Sequence, residues 1–317
     1  MITGLLILAF CLIALTAGVV FYFLYPITLF KGIMRVGGWT HGIRWRKRKG
    51  WPLYEGGSHQ EPGDPTIILV HGFGVDNATM FLLAKELVRK HEITAPDLPG
   101  FGLHEIDDDT SMTIDAFIDK LDAFFISEDY PRVILVGCSM GGAICSAYAA
   151  KHPHRVAGLC LIGPAGLKPP YDTPVYEQLQ REENALRVDS YEDFQRIFEL
   201  NFSNPPHIPH PLKKALAKRA SSRAESQERI LRSMAETLLD GVRPLLGRIQ
   251  CPVSIIWGGD DAIIHPSVAP HWEQGIRDVE MNLIPGVGHS TMMERPAEVA
   301  EVIDRLMERV RKRLNRG

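Results

Sequence analysis

Hydrophobic positions follow two different patterns along the chain. From Ile2 to Phe30 they run almost without a break, and no acidic or basic side chain interrupts them. About 20 apolar residues at 1.5 Å each cross a hydrocarbon core, so this run is long enough to span with tilt. No base precedes it, and it continues past the small residues Ala14 and Ala17. That reads as a retained anchor, not a removed signal peptide. Pro26 ends or kinks the span. "ITLFKGIMRVGGW" then mixes apolar residues with Lys31 and Arg35, as an interfacial helix does.

From Thr66 onward, short aliphatic runs alternate with helical patterns. "TIILVHGFG", "EITAPDLPGFG", "RVILVGCSMGG" and "VAGLCLIGPAG" predict four buried strands. Between them, "NATMFLLAKELVRKH" carries Met80, Leu83, Leu87 and Val88 at helical spacing. "TIDAFIDKLDAFFISE" predicts a second helix with Thr113 as N-cap, and "GAICSAYAAKHP" a third. Fully apolar strands alternating with helices predict a parallel sheet covered on both faces. From Lys168 to about Leu246 the strand-like runs stop, and helical patterns broken by "KPPYDTP" and "NFSNPPHIPHP" replace them. The alternation resumes at "CPVSIIWGGDD" and "VEMNLIPGVGH" and ends in a long helix from about Arg295 to Leu314. An α/β core with a helical insertion results.

Charge changes the picture locally. The formal total is −3, residues 31–49 hold seven bases and no acid, and the rest of the chain therefore carries −10. Nothing global points to nucleic acid. The basic run interleaves with Trp39, Trp45 and Trp51. That suits an anionic headgroup region, at about 1 kcal/mol per base, and equally a solvated strand or hairpin edge. Positive charge lies only on the C-terminal flank of the apolar run. This favours a cytoplasmic body, but a large following domain can be exported regardless, so either side stays open. Ala14 and Gly18 form a small-xxx-small pair that admits a homodimer through the anchor helix. The five cysteines lie among apolar or small residues without metal-ligand spacing and read as buried free thiols.

The chemistry gathers around Gly137-Cys138-Ser139-Met140-Gly141. This G-x-S-x-G sits where a strand turns sharply into a helix, which lifts the serine oxygen above the sheet. Flanking glycines allow the close backbone approach, and the helix N-terminus favours negative charge on the attacked oxygen. Such a serine needs a base, and the base an orienting acid, in the chain order Ser, acid, His. His289, in a glycine-rich loop before a helix, fits the base. Asp260 and Asp261 compete for the acid, and the Gly-x-x-Asp spacing from Gly258 favours Asp261. Two backbone N–H groups should bind the oxyanion: Met140, following the nucleophile, and Phe73, in the "HGFG" loop. His71 reads as structural. No cofactor and no metal are required.

These landmarks, "HGFG", "DLPGFG", "GCSMGG", "WGGDD" and "GHSTMMERP" in that order, resemble the α/β-hydrolase superfamily over about residues 60–315. With "CLIGPAGL" and the apolar front end, they further resemble its membrane-anchored monoacylglycerol lipases and bacterial membrane-anchored phospholipases A. The resemblance implies an α/β-hydrolase fold: a mostly parallel sheet with helices on both faces, a helical cap insertion and an N-terminal transmembrane and juxtamembrane helix. The expected division is an anchor at 1–38, core at 39–167, cap at 168–246 and core again at 247–317. It also implies a serine hydrolase of membrane-derived glycerolipids that releases fatty acid. Such a chain is held in the bilayer through residues 2–38 as a single-pass protein, in the inner or plasma membrane if it is bacterial. The family motif assigns Ser139, His289 and Asp261 as triad and Phe73 and Met140 as oxyanion hole. "DLPGFGLHE" departs from the family in placing His104 where a small hydroxyl residue is common. For an acyl tunnel the cap offers Leu179, Leu186, Phe194 and Phe198, with Leu200, Leu216, Leu238 and Leu239 behind them. A small-ester esterase or carbon–carbon bond hydrolase shares most of these features, and a non-catalytic lipid-binding protein would share the fold.

Overall fold

Alternate residues of the central strands enter two separate cores. Along β3 (Thr66–Val70), Ile68 and Val70 join one apolar cluster while Ile67 and Leu69 join the other. This is the period-2 geometry of a strand buried on both faces. The same holds for β5 (Val133–Cys138) and β7 (Val253–Gly258). The computed structural model describes residues 16, 18, 20–59, 61–107, 110–170, 173–181 and 183–315. With β1 (Ile43–Arg48), β2 (Trp51–Gly56), β4 (Ile93–Pro96), β6 (Val156–Ile162) and β8 (Val279–Ile284), these strands form one sheet. Its order is β1-β2-β4-β3-β5-β6-β7-β8. Pairing is parallel from β4 to β8 and antiparallel at β1–β2 and β2–β4. The mostly parallel sheet with helices on both faces that the pattern predicts is therefore observed.

Helix α1 (Pro26–Thr40) precedes the sheet. Helix α2 (Phe81–Leu87) covers one face; α3 (Ile114–Ser127), capped by Thr113, and α4 (Met140–Lys151) cover the other. Between β6 and β7 lie α5 (Pro174–Gln180), α6 (Tyr191–Leu200), α7 (His210–Ser221) and α8 (Ala224–Glu236), and no strand among the described residues. Thr173 caps α5, and a reciprocal Ser190–Asp193 capping box starts α6. Helices α9 (Ala269–Gly275), α10 (Thr291–Glu294) and α11 (Pro296–Leu314) complete the chain.

The basic segment is a hairpin strand at the sheet edge. Much of its charge is spent within the protein: Arg48 pairs with Glu55 and Glu128, and Arg35 lies 4.2 Å above the Trp45 ring. Charged side chains on an edge strand also block edge-to-edge pairing. Trp51 does not face a headgroup region. It is buried in the core, 4.7 Å from the Phe124 ring, because β2 pairs with β4 and lays its residues over α3. Most of the expected membrane span, residues 1–15, 17 and 19, lies outside the described residues, including Ala14 of the small-residue pair. Among the described residues, no helix is long and apolar enough to cross a membrane.

Candidate active site

Ser139 occupies the turn between β5 and α4 at φ 53°, ψ −120°, a conformation costly for any residue with a Cβ. The packing that enforces it is visible at the glycines. A Cβ on Gly141 would lie 2.5 Å from the His71 carbonyl oxygen and 2.6 Å from that of Val70; one on Gly137 would strike the Gly141 carbonyl. The turn is pinned to the end of β6: Ser139 N–H donates to Ile162 O (3.0 Å), and Ala165 N–H donates to Ser139 O (3.1 Å).

One residue beyond Ile162, the second half of the site begins. A Cβ on Gly163 would lie 3.1 Å from Asp261 Oδ2 and 3.3 Å from His289 Nδ1. Asp261 follows β7 and His289 follows β8, so both stand at the C-terminal edge of the sheet, where Ser139 stands. His289 Nδ1–H donates to Asp261 Oδ2 at 2.7 Å, and both side chains are buried. Asp261 Oδ1 accepts from the Ile263 and Ile264 amides at 2.9 and 2.8 Å. This bonding leaves the proton on Nδ1 and the Nε2 lone pair available for general-base work. Asp260, the rival acid, points away and accepts from Ser203 Oγ at 3.0 Å.

Phe73 and Met140 line a common apolar cavity with Ser139. Among the described residues, neither backbone amide has an acceptor. Backbone N–H groups without an internal acceptor are uncommon, and such groups are the type of donor that a developing oxyanion needs. The loop bearing Phe73 is held by His71. The Leu98 N–H donates to His71 Nε2 (2.9 Å), so that nitrogen is an acceptor, and Nδ1–H donates to Gly72 O (2.8 Å). The ring is therefore neutral, and burial lowers its pKa in the same sense. The Cys138 thiol beside Ser139 is pushed up to about 12 by burial, so it stays protonated and is no rival nucleophile.

From the segment between β6 and β7, Leu179, Leu186 and Leu238 line the cavity. Phe194 and Phe198 are elsewhere. They stack on each other along α6 at 6.1 Å, Phe198 meets Phe202 and lies under Lys213 of α7, and none of them lines the cavity. Helical spacing marks the apolar face of α6 but not its partner, which is α7 and not the substrate space. Leu200, Leu216 and Leu239 also lie outside the lining. Thr173, Tyr176 and His265 line the cavity without having been singled out by motif. Of these, His265 had a signal: it lies in the same loop as Asp261, four residues on.

No cluster of three or more His, Cys, Asp or Glu side chains that could hold a metal ion occurs among the described residues. The model of the alpha/beta hydrolase family matches residues 67–302. Lipase 1 of Psychrobacter immobilis is 29% identical over 240 residues, which covers 75% of this chain and 75% of that protein. The monoacylglycerol lipase ABHD6 of Homo sapiens is 26% identical over 255 residues, 75% of this chain and 74% of that one. Among solved structures, a membrane phospholipase A described as a bacterial virulence factor superposes with TM-score 0.84. It is 30% identical and covers 98% of this chain and 99% of its own. A meta-cleavage product hydrolase, with TM-score 0.70 and 17% identity over 85% of this chain and 99% of its own, shares the fold.

Proposed function

Since the chain belongs to the alpha/beta hydrolase family and is a carboxylic ester hydrolase of the lipase kind, we propose that it cleaves acyl esters of membrane-derived glycerolipids through an acyl-enzyme on Ser139. His289 Nε2 takes the Ser139 proton as Oγ attacks the ester carbonyl carbon. The carbonyl oxygen becomes an oxyanion on the Phe73 and Met140 amides. As the tetrahedral intermediate collapses, the C–O bond to the alcohol breaks and His289 returns the proton to that oxygen. Water then gives a proton to His289 and attacks the acyl-enzyme, and fatty acid leaves as Ser139 regains its hydrogen. Asp261 keeps the imidazole in the productive tautomer and stabilises its cationic form.

The single observation that carries this reading is the buried Asp261–His289 pair beside a serine in strained geometry, the serine lining a mainly apolar cavity. Leu179 and Leu186 contact the acyl chain, as part of a cap over residues 168–246. Residues 1–38 hold the enzyme in the bilayer. In support, Phe23, Leu24, Ile33, Val36 and Trp39 all stand exposed around α1, and the phospholipase similar over nearly the whole chain is a membrane protein. The carbon–carbon reading draws only on shared fold.

Full-length protein purified in detergent is incubated with a panel of phospholipids, lysophospholipids and monoacylglycerols, and products are read by mass spectrometry. Fatty acid is released by the parent and not by Ser139→Ala. Turnover of short water-soluble esters with no fatty acid from any glycerolipid would sink the lipid assignment. Full activity in Ser139→Ala would sink the mechanism.

A further inference from the structure

The turn that carries His289 is not supported by the hydrolase core alone. One of its neighbours is held from the helical segment directly, the other through a carboxylate that this segment shares. Ser290 N–H donates to Asn201 O at 2.8 Å, just past the end of α6. On the other side, Gly288 N–H donates to Glu294 Oε1 at 2.8 Å. The same carboxylate reaches across the gap: Oε1 accepts from Ser203 N–H at 3.3 Å and Oε2 from Asn204 N–H at 2.9 Å. The fit leaves no slack, since a Cβ on Gly288 would lie 2.8 Å from Ser203 N and 2.9 Å from Asn201 O. A third link, Ser203 Oγ to Asp260 Oδ2, ties this segment to the loop that bears Asp261.

We propose that Glu294 is a positioning residue: it clasps residues 201–204 of the cap against the Gly288–Ser290 turn and so holds the His289 ring against Asp261. An ionised carboxylate accepting three backbone N–H groups makes charge-assisted bonds, roughly twice as strong as neutral ones. The cap residues that wall the cavity lie on both sides of this clasp in the chain: Thr173, Leu179 and Leu186 come from before α6, Leu231 and Leu238 from α8 and just beyond it. The inference rests on the reading of His289 as the base.

The test measures kcat and KM for a water-soluble p-nitrophenyl ester on full-length protein, with sites counted by an organophosphorus titrant and folding followed by circular dichroism. Glu294→Ala lowers kcat per titrated site by about 10- to 100-fold, the scale expected for a slight misplacement of a catalytic group. KM stays within about twofold, since no substrate contact is lost. Glu294→Gln, whose single carbonyl oxygen can still accept from Gly288 and Ser203, recovers most of the rate. Should Glu294→Ala fail to fold, Glu294→Asp carries the test: it keeps the charge but withdraws the carboxylate by one methylene, and kcat falls roughly tenfold. Folded variants with parental kcat and only a lower Tm would overturn the clasp. His289→Ala in the same assay separates the two readings. If it is inactive while the Glu294 variants are unaffected, only the clasp fails; if it is fully active, the assignment of the base fails.

Discussion

Nδ1 of His289 stands 2.7 Å from Oδ2 of Asp261, while the other Asp261 oxygen is taken by the Ile263 and Ile264 amides. The carboxylate is thus spent on both sides, one oxygen fixing the ring and the other fixing the carboxylate. Asp260 is turned toward Ser203. Asp261→Asn is expected to lower kcat about 10⁴-fold on a soluble ester, since the amide favours the wrong imidazole tautomer. Asp260→Asn should stay within a few-fold. The reverse ranking in steady-state kinetics would reassign the acid.

Gly141 tests the elbow by shape. A methyl group there meets two backbone carbonyls that cannot move without dragging β3, which is buried along its whole length. Gly141→Ala should cost about 3 kcal/mol or more, at the upper end for overpacking. Thermal unfolding of the full-length protein measures it, and an unchanged Tm would mean the turn relaxes.

His71 gives stability a pH dependence of known sign. Burial holds its pKa below the ordinary histidine value, so the unfolded chain takes up a proton where the folded one does not. That contribution is fully present above about pH 6.5 and is lost as pH falls toward the folded value. The slope is at most about 1.4 kcal/mol per pH unit. His104, also lowered chiefly by burial, adds in the same direction. Unfolding titrations between about pH 6.5 and 5 should be shallower in His71→Gln, whatever the substitution does to stability at neutral pH.

Asp76 joins three parts of the fold. Its Oδ2 faces Lys31 of α1 at 3.4 Å and Arg219 of α7 at 3.1 Å, and its Oδ1 accepts from Ala78 N–H at 3.1 Å. Burial raises its pKa, but the two cations outweigh this and hold the carboxyl below the usual range. Asp76→Asn leaves both cations unpaired and should cost about 3 kcal/mol at neutral pH. The contribution is present above about pH 3.9 and lost as pH falls through the folded value, so parent and variant should converge in acid. A gap that persists at low pH would place the effect in packing, not charge.

Much of the site is legible along the chain because its demands are local. A strand must turn sharply into a helix at Ser139, and only glycine fits at 137 and 141, so the motif is written in five consecutive residues. The alternation of aliphatic runs with amphipathic helices likewise specifies a two-faced parallel sheet, because each element must bury its own apolar side. Other features depend on where distant segments meet. Trp51 and Lys31 read as groups for a lipid surface, yet Trp51 packs on Phe124 and Lys31 turns to Asp76. Phe194 and Phe198 have the spacing of a lining face, yet pack beside α7.

Local periodicity and turn chemistry were enough for the order of strands and helices of the sheet from Thr66 onward, the sharp strand-to-helix turn at Ser139 and the loop that carries His289. Their energies are set by neighbours within a few residues. Which of two adjacent aspartates meets His289, which cap residues wall the cavity, and how Glu294 ties the histidine turn to a segment 90 residues earlier were settled only in three dimensions. There the close packing of buried side chains, and the need to pair every buried charge, select among contacts that one-dimensional spacing leaves equivalent.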